Sequence, residues 1–200
     1  MATIKGLSQF KTKLSGGGAR PNLFEVTMPS LPGINLNVQG DSVGFDAEKF
    51  TFLCKAAALP ASNIAPIDIP FRGRILKVAG DRTFDTWTIT VINDEDFMYR
   101  RVFEAWMQNV GQYSDHSGLT EPASYMTNAT VRQLGRAVVA QESGQGTGGN
   151  ANILAQYEFV DIFPTNISQI DLSYETSDTI EEFTVEFQVQ FWYPTSPKAA

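Results

Sequence analysis

The sequence predicts a mainly β protein with one helix lying over a sheet. Three observations predict it: short runs in which apolar and polar residues alternate, 14 phenylalanines in 200 residues, and a single run with apolar residues at helical spacing. Alternation sends successive side chains to opposite faces of a strand, and aromatic residues suit a half-buried pleated surface. With 42% hydrophobic and 12% aromatic residues, the chain has material for one core, so residues 1–200 are expected to form a single domain.

Residues 1–20 read as an N-terminal arm. It closes on Ser15-Gly16-Gly17-Gly18-Ala19, which has the composition of a flexible hinge. Leu23 to Met28 alternates as a short strand, stopped by Pro29, Pro32 and Gly33. The stretch from Leu31 to Glu48 is loop-like. Phe50-Thr51-Phe52-Leu53-Cys54 reads as the next strand, and further strands are expected at Ile67–Phe71 and Arg74–Ala79, joined through Gly73. Phe84 to Val91 alternates cleanly, with Thr86, Thr88 and Thr90 on one face.

The helix follows. Asn93 is placed to cap it, and Asp94, Glu95 and Asp96 put negative charge in its first turn, where the helix dipole favours it. Tyr99, Val102, Phe103, Trp106 and Val110 fall on one face, and Gly111 is the expected stop.

Gly111 to Pro122 is expected to be loop, Ala129 to Arg132 to begin a strand, and Gly144 to Asn150 to be a loop tip. Strands are expected at Ala155–Val160 and Ile170–Tyr174. The final strand is the clearest: Phe183, Val185, Phe187, Val189 and Phe191 share one face, and Glu182, Thr184, Glu186, Gln188 and Gln190 the other. Trp87, Phe103, Trp106, Phe183, Phe187 and Phe191 are the candidate core.

Charge and composition narrow the function. Lys plus Arg less Asp plus Glu is 15 − 22 = −7, which argues against a grip on nucleic acid, since phosphate affinity rests on basic contacts. One cysteine, Cys54, excludes an intrachain disulfide, and with one histidine, His116, it leaves too few soft ligands for a zinc site. The start lacks the apolar stretch of a signal peptide, and no run of about 18 apolar residues predicts a membrane span.

Catalytic chemistry finds no support either. The glycine-rich stretch after Gly144 lacks the Gly-Lys-Ser/Thr ending of a phosphate loop. His116 lies in a polar loop with no nucleophile elbow in the chain. Neither catalytic residues nor a cofactor are expected. Apolar Ile4, Leu7 and Phe10 in the arm, with Leu31 and Ile34 in the following loop, have no local strand to bury them and are candidate subunit contacts. Arg72 and Arg74, in the local basic concentration with Lys77 and Arg82, suit salt bridges to a like subunit.

One colinear set of segments comprises Ala19-Arg20-Pro21-Asn22-Leu23-Phe24, the stretch Phe52 to Ala61, Val78 to Thr88 with Val91 to Glu95, Val131-Arg132-Gln133, Phe163-Pro164-Thr165-Asn166 and Phe183-Thr184-Val185-Glu186. Together they resemble the tail tube proteins of contractile-tailed bacteriophages. The likeness runs from about Ala19 to Tyr193. Residues 29–48 and 141–152 depart from the pattern and read as inserted loops.

The resemblance implies an antiparallel β-sandwich or small barrel with a flanking helix, similar in architecture to the type VI secretion tube protein. Six copies would form a ring, each lending four strands to a continuous inner barrel, and rings would stack into a tube in the virion tail, assembled in the host cytoplasm. The implied partners are further copies, a sheath outside, tape measure protein and double-stranded DNA passing through without specific binding, and baseplate and terminator proteins at the ends; no membrane is implied. About 24 strands at about 4.8 Å spacing, tilted about 35–45°, make a wall roughly 45–52 Å across, which inward side chains narrow to roughly 35–40 Å. A duplex, about 20 Å wide, passes that bore. Glu182, Thr184, Glu186, Gln188 and Gln190 are the candidate lumen face, with the Thr86, Thr88 and Thr90 row as the other choice.

Two neighbouring readings are the tube protein of an extracellular contractile injection particle and a baseplate protein that initiates the tube. A reading from another class is a monomeric carbohydrate-binding sandwich, which would give no hollow rods or rings under the electron microscope.

Overall fold

The computed structural model describes residues 7–14, 18–28, 31, 37–38, 41–42, 44–115, 117–139, 150–175 and 178–195. In chain order the first elements are α1 (Leu7–Lys13), β1 (Phe24–Thr27), β2 (Asn37–Val38), β3 (Asp41–Ser42), α2 (Ala47–Leu53) and β4 (Cys54–Ala57). Then come β5 (Ser62–Phe71), β6 (Arg74–Phe84), β7 (Trp87–Ile92), α3 (Met98–Val110) and α4 (Pro122–Tyr125). The chain continues through β8 (Thr127–Val139), β9 (Asn150–Ile167), β10 (Glu182–Gln188) and β11 (Phe191–Thr195). The main sheet has the hydrogen-bonded order β1-β8-β9-β10-β7-β4, with β11 paired to β9. Two compact units divide the chain, and β8 and β9 run through both.

The larger unit, residues 26–130 and 158–193, is built on the antiparallel pair β7–β10. Phe183 lies opposite Val91, Val185 opposite Ile89, and Phe187 opposite Trp87, so one face is continuously apolar and all six residues are buried. α3 contributes the facing stripe of Tyr99, Val102, Phe103, Ala105 and Trp106. Phe103 meets Phe183 and Phe187 edge-on, with ring centroids 6.2 and 5.8 Å apart. Trp87 stacks on Phe159 at 4.6 Å. The polar ends of these aromatics are mostly satisfied: Trp106 Nε1 donates to Tyr125 O at 2.7 Å, and Tyr99 Oη donates to Asp46 O at 2.8 Å. Trp87 Nε1 is buried without a hydrogen-bond partner among the described residues.

The structure corrects several elements read from the sequence. Phe50 to Leu53 is not a strand but the end of α2. Asp46 caps that helix, its carboxylate accepting from Glu48 N and Lys49 N at 3.0 and 3.1 Å. The helix turns Phe50 fully inward and leaves Phe52 76% exposed, whereas a strand would have set both on one face.

α3 starts at Met98, later than expected, because Asn93 N–H still donates to Glu181 O as the end of the sheet ladder. Asp94 to Phe97 then form a turn, closed by Phe97 N–H to Asp94 O and with Phe97 in the left-handed region at φ 50°. Phe84 to Val91 is broken at Asp85, whose N–H bonds Ala61 O, so Thr86 precedes β7. Ile170 to Tyr174 is a connection rather than a strand, exposed from Asp171 onward. The final strand divides at Val189–Gln190, where Gln190 N–H reaches Val160 O; Phe191 therefore opens β11 and is 43% exposed, not in the core.

β5 and β6 form a two-stranded ribbon of their own. Arg72 and Gly73, at φ 46° and 80°, make the two-residue turn that suits the twist of such a ribbon. Near its base the register shifts between Ile64 and Pro66. There Gly80 lies so close to β5 that an added Cβ would stand 2.6 Å from Ala65 O, so only glycine fits.

In the smaller unit, residues 1–25, 131–157 and 194–200, Arg132 reaches Gln156 Oε1 at 3.2 Å and Glu25 Oε2 at 3.3 Å. Gln133 Nε2 donates to Arg20 O and Leu23 O, both at 2.6 Å, tying the end of the arm to β8. The arm holds α1, for which the sequence carries no cap signal.

Trp106→Ala removes both the packing on Phe187 (6.0 Å) and the bond to Tyr125 O. A buried Trp→Ala change costs about 3–5 kcal/mol, which at about 2–4 °C per kcal/mol lowers the melting temperature by roughly 6–20 °C, measurable by circular dichroism. Burial pushes the Cys54 thiol up to about 12. At about pH 8.5, the ordinary thiol value, iodoacetamide is therefore expected to label Cys54 on unfolding and not before.

Candidate assembly surfaces

The face of the β7–β10 pair opposite α3 is the first candidate surface. Register sets Thr90 opposite Thr184 and Thr88 opposite Glu186. It extends to Asn166 of β9, opposite Glu186, and to Ala56 of β4, opposite Thr90. The two lumen rows read from the sequence are therefore one surface: the β7 threonines and the β10 polar residues share a face. Thr88, Thr90, Thr184, Glu186 and Gln188 are half-buried there, while Ala56 and Asn166 are exposed.

The ends of that row differ from its middle. Glu182 is exposed but occupied by an ion pair with Lys55, and Gln190 lies beyond the end of β10. Asn166 and Ala56 were missed by sequence reading, because a single chain pattern cannot say which strands become neighbours.

The β5–β6 ribbon is the second surface. Every residue from Ala61 to Ala79 is exposed. Cross-strand pairing sets Ile67 against Val78, Ile69 against Leu76, and Phe71 against Arg74 on one face; these apolar side chains are 43–65% exposed. The other face pairs Asp68 with Lys77, 3.9 Å apart. Arg72 folds its guanidinium over the Phe71 ring at 5.3 Å. Sequence reading selected Arg72 and Arg74 but not the apolar row beside them. Alternation marked the strands and carried no sign that they stand away from the main sheet.

A third surface is the connection between β9 and β10. A cleft of about 740 Å³ is lined there by residues including Leu172, Tyr174 and Ile180, all strongly exposed. Of the remaining candidates, Leu7 and Phe10 are 70% and 61% exposed on α1 and Leu31 is half-buried. Ile4, Ile34 and His116, with most of 29–43 and residues 140–149, lie outside the described residues.

Charge on the larger unit is organised by local pairs rather than by a reactive cluster. Lys49 holds the Asp94 carboxyl below its usual range, and Asp94 raises Lys49 in return. Arg100 bonds Glu104 Oε1 and Ser168 O, both at 2.7 Å, and lies 5.5 Å from the Phe183 ring. Among the described residues no group of three or more His, Cys, Asp or Glu side chains is placed to hold a metal, and no helix is long and apolar enough to cross a membrane.

Comparison with known proteins agrees with this arrangement. A family profile described as phage tail tube protein matches residues 19–195. The tail tube protein gp19 of Enterobacteria phage T4 is 34% identical over 179 residues, covering 89% of this chain and 93% of that protein. In fold, the chain is similar to a subunit of the anti-feeding prophage baseplate, solved with sixfold symmetrisation, at TM-score 0.57 and 10% identity over 91% of this chain and 98% of the other. It is similar also to a chain of an extracellular contractile injection system sheath–tube complex, at TM-score 0.54 and 12% identity over 96% and 99%. A helix-backed sheet with a wet outer face, matched over nearly its whole length at the level of sequence, makes this chain a member of the phage tail tube protein family.

Proposed function

We propose that six copies of this structural protein close into a ring and that rings stack into the hollow tube through which the phage genome leaves. The observation that carries the reading is the four-strand run β9-β10-β7-β4, sealed by α3 on one face and carrying hydroxyl, amide and carboxylate groups on the other. Six such runs side by side supply the about 24 strands whose closure leaves a bore of roughly 35–40 Å. The sixfold-symmetrised baseplate containing a chain of similar fold supports the ring number.

In this arrangement Thr88, Thr90, Thr184, Glu186 and Gln188 face the lumen. The ring carries 6 × (−7) = −42 charges, so DNA is not held, and hydroxyls keep the wall wetted while the duplex slides. A tape measure protein occupies the bore before DNA does. Sheath subunits surround the tube, and baseplate and terminator proteins close its ends. The apolar face of the β5–β6 ribbon packs against a neighbouring copy, since a lone two-stranded ribbon is marginal in water.

Electron microscopy of the purified protein, alone and with baseplates, tests the reading: hollow rods or rings are expected, and monodisperse monomers under both conditions would oppose it. Glu186→Lys is expected to leave tubes intact and slow genome ejection, more at low salt, measured as DNA release from triggered particles. Ile69→Asp with Leu76→Asp is expected to abolish tubes while leaving the far-ultraviolet circular dichroism of the monomer unchanged.

A further inference from the structure

α1 is amphipathic and stands uncovered. Leu7 and Phe10 on α1, with Leu14 just past its end, recur at the spacing of one helix face, and the three are exposed at 70%, 61% and 44%. At about 3.6 residues per turn, Lys11 and Lys13 fall on opposite flanks of that stripe. The first acidic residue of the chain is Glu25, whereas Lys5, Lys11, Lys13 and Arg20 precede it. The arm is thus purely basic around a narrow apolar edge.

The β9–β10 connection is its chemical counterpart. Leu172, Tyr174 and Ile180 line the cleft there and are exposed at 80%, 108% and 73%, an apolar patch that the larger unit leaves bare. Asp171, Glu175, Asp178, Glu181 and Glu182 surround it in sequence, and no lysine or arginine occurs from Asn166 to Pro197. Three of those acids already have partners: Asp171 accepts from Gln169 Nε2 at 3.2 Å, Glu181 accepts from Asn93 Nδ2 at 3.0 Å, and Glu182 pairs with Lys55. Glu175, next to Tyr174, and Asp178, two residues before Ile180, lie beside the apolar patch in sequence and are exposed.

We infer that α1 of one copy docks its Leu7–Phe10–Leu14 edge onto the Leu172–Tyr174–Ile180 patch of a second copy, with Lys11 and Lys13 facing Glu175 and Asp178. The match rests on two features: an apolar edge and an apolar cleft, both uncovered, and a basic frame on one with an acidic frame on the other; the glycine-rich sequence at residues 16–18 has the composition of a linker. Ordering the arm costs conformational entropy that its exposed Leu7, Phe10 and Leu14 do not offset in the solitary copy, so docking belongs to the assembled state. This reading builds on the stacked tube proposed above by naming the surface that receives the arm.

Mixed-copy disulfide trapping tests it independently of tube formation. Phe10→Cys and Leu172→Cys proteins are prepared separately, mixed and oxidised; native Cys54 is buried and serves as the silent background. A disulfide-linked heterodimer is expected. Phe10→Cys mixed with Tyr113→Cys, an exposed position in the turn after α3, is expected to give none. Lys11→Glu with Lys13→Glu in the arm partner should remove most of the heterodimer and reduce tube yield severalfold, and Glu175→Lys with Asp178→Lys in the receiving partner should restore both. Absence of the heterodimer while the parent protein forms tubes overturns the docking and spares the tube. The heterodimer without tubes keeps the docking and counts against the tube. Neither heterodimer nor tubes overturns both. A Leu172→Cys thiol that cross-links in whole tails to sheath subunits rather than to Phe10→Cys assigns the patch to the sheath and also overturns the proposal.

Discussion

The register of β10 against β7 is the constraint on which the rest of this protein depends. Side chains along a strand alternate with period two, so a slip of one residue would carry every apolar side chain to the wet face and every polar one into the core. Phe183, Val185 and Phe187 opposite Val91, Ile89 and Trp87 give α3 a surface to cover. The same pairing forces Thr184 and Glu186 beside Thr90 and Thr88. Core and outer face are thus set by one choice, and α3 makes that choice costly to undo because Phe103 and Trp106 lock between the rings of the sheet.

How much of this was legible in the sequence depended on whether the signal was local. The β7 and β10 alternation and the α3 stripe are carried by contiguous residues, and each was readable with its buried face. Phe50 and Phe52 misled because two aromatics two apart look like one face of a strand. The competing signal, Asp46 with amides free to donate at Glu48 and Lys49, was present one turn earlier and decided the helix. The break at Asp85 and the late start of α3 were not readable, since each depends on a backbone bond to a distant carbonyl, Ala61 O and Glu181 O.

The candidate surfaces follow the same division. The threonine row and the glutamate row were each visible as a face, and their union into one surface required knowing that β7 and β10 are neighbours. The ribbon shows a different limit. Ile67, Ile69, Leu76 and Val78 have the pattern of an ordinary buried face, yet among the described residues β5 and β6 pair only with each other. Sequence patterning specifies what must be covered, and it does not specify whether the cover comes from the same chain. In the proposed assembly, this core-like surface of the ribbon belongs to a neighbouring copy.

The threonines of the wet face have a consequence for friction. A side chain that swings freely can wrap a passing polymer, and each one it immobilises loses up to about 2 kcal/mol of rotamer freedom for Lys, Arg, Gln or Glu. Thr88, Thr90 and Thr184 are short and stiff at χ1, and Ala56 beside them has no rotamers to lose. Along the proposed bore much of the wall therefore has few moving parts, and of its two longer side chains Glu186 repels phosphate and Gln188 is uncharged, so a translocating duplex finds little to entangle and little to drag. Resistance to passage then comes mainly from water and counterions, and it is expected to vary smoothly along the tube rather than in the discrete steps that long, sticky side chains would impose.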